Sequence, residues 1–343
     1  MNLKQLAEHL GLSQTTVSRA LNGYPEVREA TRKRVQDAAR EFNYAPNVRA
    51  KGLATGRAMS IGHVIPVSKK HEIVNPVFAD FITGSSEVYS KAGYDLVISL
   101  VEDGDQEQRY RELHAKGNVD GLIVHGPMRV DSRIEFLAEL GMPFVVHGRA
   151  SDIGSDYAWI DMNNRRAFHR AATLLIELGH RRIGLINGIE AMDFAYRRRQ
   201  GYAGALEDCG IPCDPDLLFA GEMTENLGFC AMRDMLLLDD PPTAVLTSSI
   251  IIALGVRHAM DDAGLVLGRD VSLVSHDDDL SYLRNRADVP VFTATRSPVR
   301  EHGATAAEML IRMIENPGQP PEHVLLEADL ILGRSTGPAP RPG

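Results

Sequence analysis

Ser13-Gln14-Thr15-Thr16-Val17-Ser18-Arg19-Ala20-Leu21 is the stretch on which the reading of this chain turns. On a helix at about 100° per residue, Gln14, Thr15, Ser18 and Arg19 fall on one half of the wheel. Thr16, Val17, Ala20 and Leu21 fall on the other. The first half carries an amide, two hydroxyls and a guanidinium, the groups that reach base edges in a DNA major groove. The second is small and apolar enough to pack on a neighbouring helix. Ser13 is placed to cap the helix, its hydroxyl accepting from a free backbone N–H two or three residues on. Taken alone, the pattern also fits a plain amphipathic surface helix, so the surroundings decide.

Upstream, Asn2 followed by Gln5 makes a capping-box start, and Leu3, Leu6, Ala7 and Leu10 follow at helical spacing. Gly11-Leu12 turns that helix into the next, which gives a helix-turn-helix. Downstream, Asn22-Gly23-Tyr24-Pro25 is a turn, and a third helix runs from Glu29 to about Phe42 on a stripe of Val35, Ala38, Ala39 and Phe42. Arg28, Arg32, Lys33, Arg34 and Arg40 crowd its other faces, within reach of phosphates. Residues 1–46 thus read as a DNA-binding head.

The charge is unevenly placed. Residues 1–57 hold ten Lys/Arg against five Asp/Glu, whereas the remainder holds 27 against 41. A basic head on an acidic body points to nucleic acid, gripped by the head alone, because phosphate repels the rest. At 343 residues, 44% hydrophobic and 24% charged, the chain has material for two or three ordinary globular domains. No apolar run approaches the roughly 20 residues of a membrane span, and the first residues lack the apolar core of a signal peptide. Three cysteines, Cys209, Cys213 and Cys230, are too few for a disulfide framework. A cytoplasmic protein without membrane contact is the expectation.

From Ser60 onward short apolar runs alternate with helical stretches. The strands expected are Ile61–Ile65, Leu96–Leu100, Gly121–His125, Phe144–His147, Ile183–Asn187, Ala244–Thr247, Ser272–His276 and Val291–Ala294. Helices of helical periodicity, such as Phe78–Ala92, Arg166–Leu178 and Val299–Ile314, lie between them. That alternation indicates parallel α/β layers, and about 270 residues are enough for two lobes with a cleft between.

The head resembles the lactose-repressor (LacI/GalR) family of bacterial transcription regulators. The matching residues are Leu6-Ala7, Gly11-Leu12-Ser13, Thr16-Val17-Ser18-Arg19-Ala20-Leu21-Asn22-Gly23 and Phe42-Asn43-Tyr44-Ala45-Pro46-Asn47. The resemblance continues in Val119-Asp120-Gly121-Leu122-Ile123, Leu178-Gly179-His180-Arg181-Arg182-Ile183 and Arg198-Arg199-Gln200-Gly201-Tyr202. It implies an all-α helix-turn-helix headpiece with a hinge helix, joined to a two-lobed α/β domain of the periplasmic-binding-protein fold. The hinge is expected over 47–59, with Leu53 wedging a minor-groove step and Ala54 behind it. Gly52 weakens that short helix, which implies a segment that folds only on DNA. The lobes are expected over 60–160 with 293–320, and 161–292 with 321–333, ahead of a disordered tail at 334–343.

Carried over by position, Ser13, Gln14, Thr15, Thr16, Ser18, Arg19 and Asn22 become the operator-contacting residues, with Leu53 and Ala54. Small ligands of such folds sit beyond the carboxyl ends of the strands. Asp277, Arg198 and Ser249 match ligand-binding positions, and Asn75 and Phe78 match a ligand-lining loop, with Phe78 or Phe81 able to stack on a sugar ring. His125 and His147, at strand ends, and Trp159 are weaker candidates. Asp277-Asp278-Asp279 and Cys209-x3-Cys213 lack the companion ligands of a metal site. No catalytic constellation, cofactor loop or metal site is expected. The expected function is a sugar-responsive regulator, most simply a repressor of a carbohydrate-utilisation operon in the α-glucoside or disaccharide branch. Its partners are double-stranded operator DNA, a small sugar and a second copy of itself, as a homodimer or higher oligomer. A solute-binding receptor without a DNA role, or a regulator using its ligand as corepressor, is the alternative.

Overall fold

The computed structural model describes residues 1–21, 23–44, 56–66, 76–102, 105–277, 279–283, 285 and 288–340, in two compact units, a head and a body. Asn22, Leu53, Ala54, Asn75, Asp278 and most of the expected hinge, 47–55, lie outside the described residues.

The head contains α1 (Leu3–Leu10), α2 (Gln14–Leu21) and α3 (Glu29–Glu41). The capping box forms: Gln5 N–H donates to Asn2 Oδ1 at 2.9 Å and Asn2 N–H to Gln5 Oε1 at 3.0 Å. Gly11, at φ 64°, supplies the left-handed residue that ends α1 without a Cβ penalty. Leu6, Leu10, Val17, Ala20, Val27 and Val35 close a single small core, with Phe42 and Tyr44 packed on its rim. Two of the arginines read as phosphate contacts are used internally instead. Arg34 donates to Leu10 O, and Arg32 to Tyr24 O (3.0 Å) and Val27 O (3.3 Å). Leu10 O, at a helix end, lacks an intrahelical partner, and a nearby guanidinium satisfies it.

The body holds two six-stranded sheets. In the first, β1 (Ser60–Pro66), β2 (Asp95–Val101), β3 (Gly121–His125), β4 (Phe144–His147), β5 (Trp159–Met162) and β11 (His323–Leu326) run parallel in the order β11-β5-β4-β3-β1-β2. In the second, β6 (Ile183–Asn187), β7 (Leu218–Ala220), β8 (Ala244–Thr247), β9 (Ser272–His276), β10 (Thr293–Arg296) and β12 (Asp329–Ile331) take the order β12-β10-β9-β8-β6-β7, with β12 antiparallel to β10. Their central strands are covered on both faces, which explains their unbroken apolar runs. The first sheet carries α4 (Pro76–Ala92), α5 (Gln106–Ala115), α6 (Ser132–Glu139) and α11 (Val299–Glu315). The second carries α7 (Asn164–Glu177), α8 (Asp193–Asp208), α9 (Glu225–Leu236) and α10 (Ile250–Asp262).

Neighbouring helices cross closely where glycine permits. Gly303 of α11 sits against the backbone of Phe81 in α4, and Gly201 of α8 against that of Arg165 in α7. A Cβ at either position would collide with a carbonyl oxygen.

The lobe boundaries differ from the expected ones. β5 and β11 pair with each other at the edge of the first sheet, so lobe 1 keeps residues to Met162 and regains His323–Leu326. β10 pairs with β9 and β12, so 293–296 belongs to lobe 2. Pairing across the chain decides both. The last strand of the expected set also starts two residues later, at Thr293, because Asn285 holds the Phe292 backbone through two hydrogen bonds (2.6 and 2.8 Å). The tail is not disordered as far as residue 340. Ser335 is fully buried and its oxygens accept from lobe 2 strands, Leu273 N–H donating to Ser335 O (2.7 Å) and Thr293 N–H to Ser335 Oγ (2.8 Å), while Ala339 N–H donates to Leu178 O at the end of α7 (2.8 Å). Small polar residues serve here as hydrogen-bonding partners for a strand edge.

Candidate functional site

On α2, Val17 and Ala20 are buried while Gln14, Thr15 and Arg19 are exposed. Thr16 and Ser18 are half-buried at the border. Ser13 Oγ accepts from Thr16 N–H at 3.0 Å and lies 2.8 Å from Thr16 Oγ1, so both hydroxyls are engaged in starting the helix. An amide, a hydroxyl and a guanidinium therefore project together from a helix whose opposite face is fixed in the core. That arrangement suits base-edge contact, Arg to guanine and Gln to adenine.

The second site lies where the carboxyl ends of the two sheets meet. The backbone of Met128, after β3, bridges Met192, and Asp193 N–H at the start of α8 donates to Pro127 O (3.1 Å). Asp193 also accepts from Ser151 N–H (2.9 Å), and the Arg129 guanidinium lies 4.0 Å over the Tyr196 ring. On the other side, Ser281 N–H donates to Asp80 of α4 at 2.7 Å. Residues of both lobes are thus joined on two sides of the cleft.

The lobe 1 wall consists of rings. Phe81 stacks on His147 at 4.1 Å, and Phe78 meets His125 edge-on at 4.6 Å. His125 also contacts His63 and His147, and His147 faces His302 of α11. His63 Nε2 is 3.1 Å from the Tyr89 hydroxyl and His63 Nδ1 is 3.1 Å from His125 Nε2. Burial drives every one of these imidazoles toward the neutral form: His63 and His147 to about 3, His302 to about 4 and His125 well below its ordinary value.

The lobe 2 wall is charged. Arg198, in α8, is buried between the rings of Phe168 (5.3 Å) and Phe194 (4.8 Å). Its Nε donates to Asn164 Oδ1 (2.7 Å) and an Nη to Ser248 O (2.8 Å). Burial pulls the guanidinium down to about 10, opposed by Asp277 and Asp161. Asp277 stands at φ 54°, a left-handed conformation that Asp tolerates better than most side chains, with Oδ1 3.2 Å from His276 Nε2. Asn164 Nδ2 donates onward to Asp161 Oδ1 (3.3 Å), whose other oxygen accepts from Arg149 Nε (2.7 Å). Ser249 caps α10, its Oγ accepting from Ile252 N–H at 3.3 Å.

Arg198, Ser249, Asp277, Phe78, His125 and His147 therefore sit at the ends of strands or starts of helices around one cleft. Trp159 lies apart, stacked on His323 at the sheet edge under the Arg149 guanidinium. Sequence reasoning missed His63, His302, Asn164 and Asp161. His63 reads as a core position inside a strand and His302 as one inside a helix, so neither carries a local signal. Among the described residues no group of three or more His, Cys, Asp or Glu could hold a metal ion, and no helix is long and apolar enough to cross a membrane.

Comparison with known proteins adds to this geometry. Residues 2–47 match the family described as bacterial regulatory proteins, lacI family, and residues 172–336 match the periplasmic binding protein-like domain. The HTH-type transcriptional regulator AglR of Rhizobium meliloti is 46% identical over 340 residues, covering 99% of this chain and 95% of its own. The solved complex of the transcriptional regulator CelR with cellobiose superposes with a TM-score of 0.73 at 28% identity, covering 98% and 99% of the two chains. The Lac repressor dimer bound to operator and the anti-inducer ONPF gives 0.84 at 25% identity, with the same coverage.

Proposed function

The chain is a member of the LacI family of DNA-binding transcription regulators, and from that premise we propose that it represses a carbohydrate-utilisation operon until a small sugar releases it. The observation that carries this reading is the pairing, around one cleft, of a wall of aromatic and imidazole rings with a buried guanidinium and carboxylate. Rings cover the apolar faces of a sugar, while Arg198 and Asp277 supply donor and acceptor to neighbouring hydroxyls. The cellobiose bound to CelR and the similarity to AglR support a disaccharide, in the α-glucoside or a related class.

Gln14, Thr15 and Arg19 read bases, with Ser13, Thr16, Ser18 and Asn22 supporting the helix or bonding phosphate, and Leu53 and Ala54 enter the minor groove. Asn75, Phe78, His125, His147, Arg198, Ser249 and Asp277 line the effector site. The protein acts in the cytoplasm as a homodimer, its two heads about 34 Å apart on successive major grooves of a near-palindromic operator. The sugar acts by its difference in affinity for two arrangements of the lobes.

Fluorescence anisotropy with the protein's own upstream promoter region tests this. Specific binding is expected at low salt, falling steeply as salt rises. It is abolished by Arg19→Ala and released by at least one of maltose, trehalose and cellobiose. Failure to bind that DNA under any of these conditions would sink the reading.

A further inference from the structure

We infer that Asn164 is a positioning residue for the effector site: its side-chain oxygen holds the Arg198 guanidinium in the one orientation that leaves a donor aimed into the cleft. The inference rests on the sugar reading above and adds the residue on which the use of that arginine depends.

Arg198 carries five N–H groups in one rigid plane. Nε donates to Asn164 Oδ1 at 2.7 Å, and one terminal nitrogen donates to Ser248 O at 2.8 Å. The rings of Phe168 and Phe194 pack against the same guanidinium. Ring contacts restrain the tilt of the plane but leave it able to turn within itself. A single bond to Ser248 O would act as a pivot, and the second bond, on a different nitrogen, stops the turning. The other terminal nitrogen makes no hydrogen bond among the described residues. The polar atoms that are both unpartnered and shut off from solvent do not include it, so it keeps an opening outward. Its direction is set by the two bonds, and it is the donor left for a sugar hydroxyl.

Chemistry also decides which way the Asn164 amide faces. A guanidinium only donates, so the amide must turn its oxygen to Arg198. Its nitrogen then meets two acceptors, Met162 O at 3.0 Å and Asp161 Oδ1 at 3.3 Å. All three contacts demand the same orientation, and the side chain is buried. Asp161 is held in turn by Arg149 Nε at 2.7 Å. Asp161 and Met162 belong to β5 of lobe 1, and Asn164 opens α7 of lobe 2. The amide is thus anchored in one lobe and directs a group of the other. Without its oxygen the Nε proton is stranded in a buried site, and the guanidinium gains by turning toward any other acceptor. The donor then no longer faces the sugar.

Two measurements on the full-length protein test the assignment, on variants shown to fold by a cooperative thermal melt. The first is side-chain Nε–H NMR of the ligand-free protein labelled at arginine, with the Arg198 signal identified by its loss in Arg198→Lys. The expected result at pH 7 is a signal protected from exchange with water. Asn164→Ala and Asn164→Leu, two removals of the oxygen, should abolish that protection. Asn164→Asp keeps an oxygen for Arg198 but loses both amide donors, and it should retain the protection. An amide that merely braced the crossover through its nitrogen would make all three variants alike. An unprotected wild-type signal, protection that survives removal of the oxygen, or loss of protection in Asn164→Asp each overturns the inference.

The second is calorimetric titration with maltose, trehalose and cellobiose. Asn164→Ala and Asn164→Leu should weaken whichever sugar binds by about tenfold or more, and Asn164→Asp by less than about threefold. Equal losses in all three, or undiminished binding without the oxygen, overturn this inference and leave the sugar reading intact. Binding of none of the three sugars, by wild-type protein that still binds operator, removes the sugar reading and this inference with it.

Discussion

The two lobes share one strand order and one way of packing helices through glycine, yet they offer the cleft opposite chemistry. Lobe 1 ends its β3 and β4 strands in His125 and His147, backed by His63, His302 and Phe81, all rings and all uncharged. Lobe 2 gathers Arg198 and Asp277 around the same opening, and Asn164 links Arg198 on to Asp161 at the edge strand β5 of lobe 1. Topology fixes where a side chain reaches the cleft, and the residue type alone decides what it brings there. The energetic consequence differs too. Neutral rings are inexpensive to bury at neutral pH and vulnerable to acid, whereas buried ions depend on each other at every pH.

The comparison breaks most visibly at Arg198. Arg198→Ala leaves Asp277 without its cation in a buried site while Asp161 keeps Arg149, and urea denaturation should show a loss of about 3–5 kcal/mol. Adding Asp277→Asn removes the stranded charge while retaining a residue tolerant of the left-handed backbone, and should recover a substantial part. If the single variant were no less stable than wild type, the ionic description of lobe 2 would be wrong. The shared feature of the lobes is tested next. Gly303→Ala in lobe 1 and Gly201→Ala in lobe 2 each drive a methyl into a carbonyl of the facing helix. Each should cost about 1–3 kcal/mol by the same measurement, and similar values would mark the two helix crossings as equivalent.

Acid sharpens the contrast. A histidine whose folded pKa is depressed takes up its proton more readily when unfolded, so it lowers stability as pH falls from about 6.5 toward the folded value. For His147 that window runs from 6.5 down to about 3. Within it each such ring contributes a slope of about 1.4 kcal/mol per pH unit. Stability measured at pH 7, 6 and 5 should therefore fall steeply, and His147→Phe, which preserves the stack on Phe81, should make the slope shallower by about that amount. An unchanged slope would mean that His147 is not held neutral by the fold.

What the sequence made legible follows from range. The head could be read almost to the residue, because caps, a left-handed glycine and a 3.6-residue stripe are all local. The central strands Gly121–His125, Phe144–His147, Ile183–Asn187, Ala244–Thr247 and Ser272–His276 were equally clear as short apolar runs. β5, β7, β11 and β12 were not, because segments such as Trp159–Met162 or Asp329–Ile331 are brief and broken by charge, and become strands only by pairing. The lobe boundaries depend on those pairings and went astray with them. In the site, Arg198 and Asp277 could be placed by position. The meeting of His63, His125, His147 and His302 joins two strands separated by 62 residues, a third strand and the last long helix, and nothing local announces it.

The smallest effect bears on whether lobe 2 contributes a hydroxyl as well as charges. Ser249 is buried, and its oxygen accepts one bond from Ile252 N–H, which leaves its proton and a second lone pair for a ligand. The first turn of α10 is Ile250-Ile251-Ile252, with no acidic side chain to offset the free N–H groups, so the cap stands alone there. Ser249→Ala should cost about 1 kcal/mol of stability, and it should weaken sugar binding by less than Arg198→Ala does. Ser249→Asn retains a capping oxygen and adds amide donors, so it should restore both quantities. If Ser249→Ala lowers stability but leaves sugar affinity unchanged, the hydroxyl serves the helix alone, and lobe 2 recognises its ligand entirely through the buried guanidinium and carboxylate.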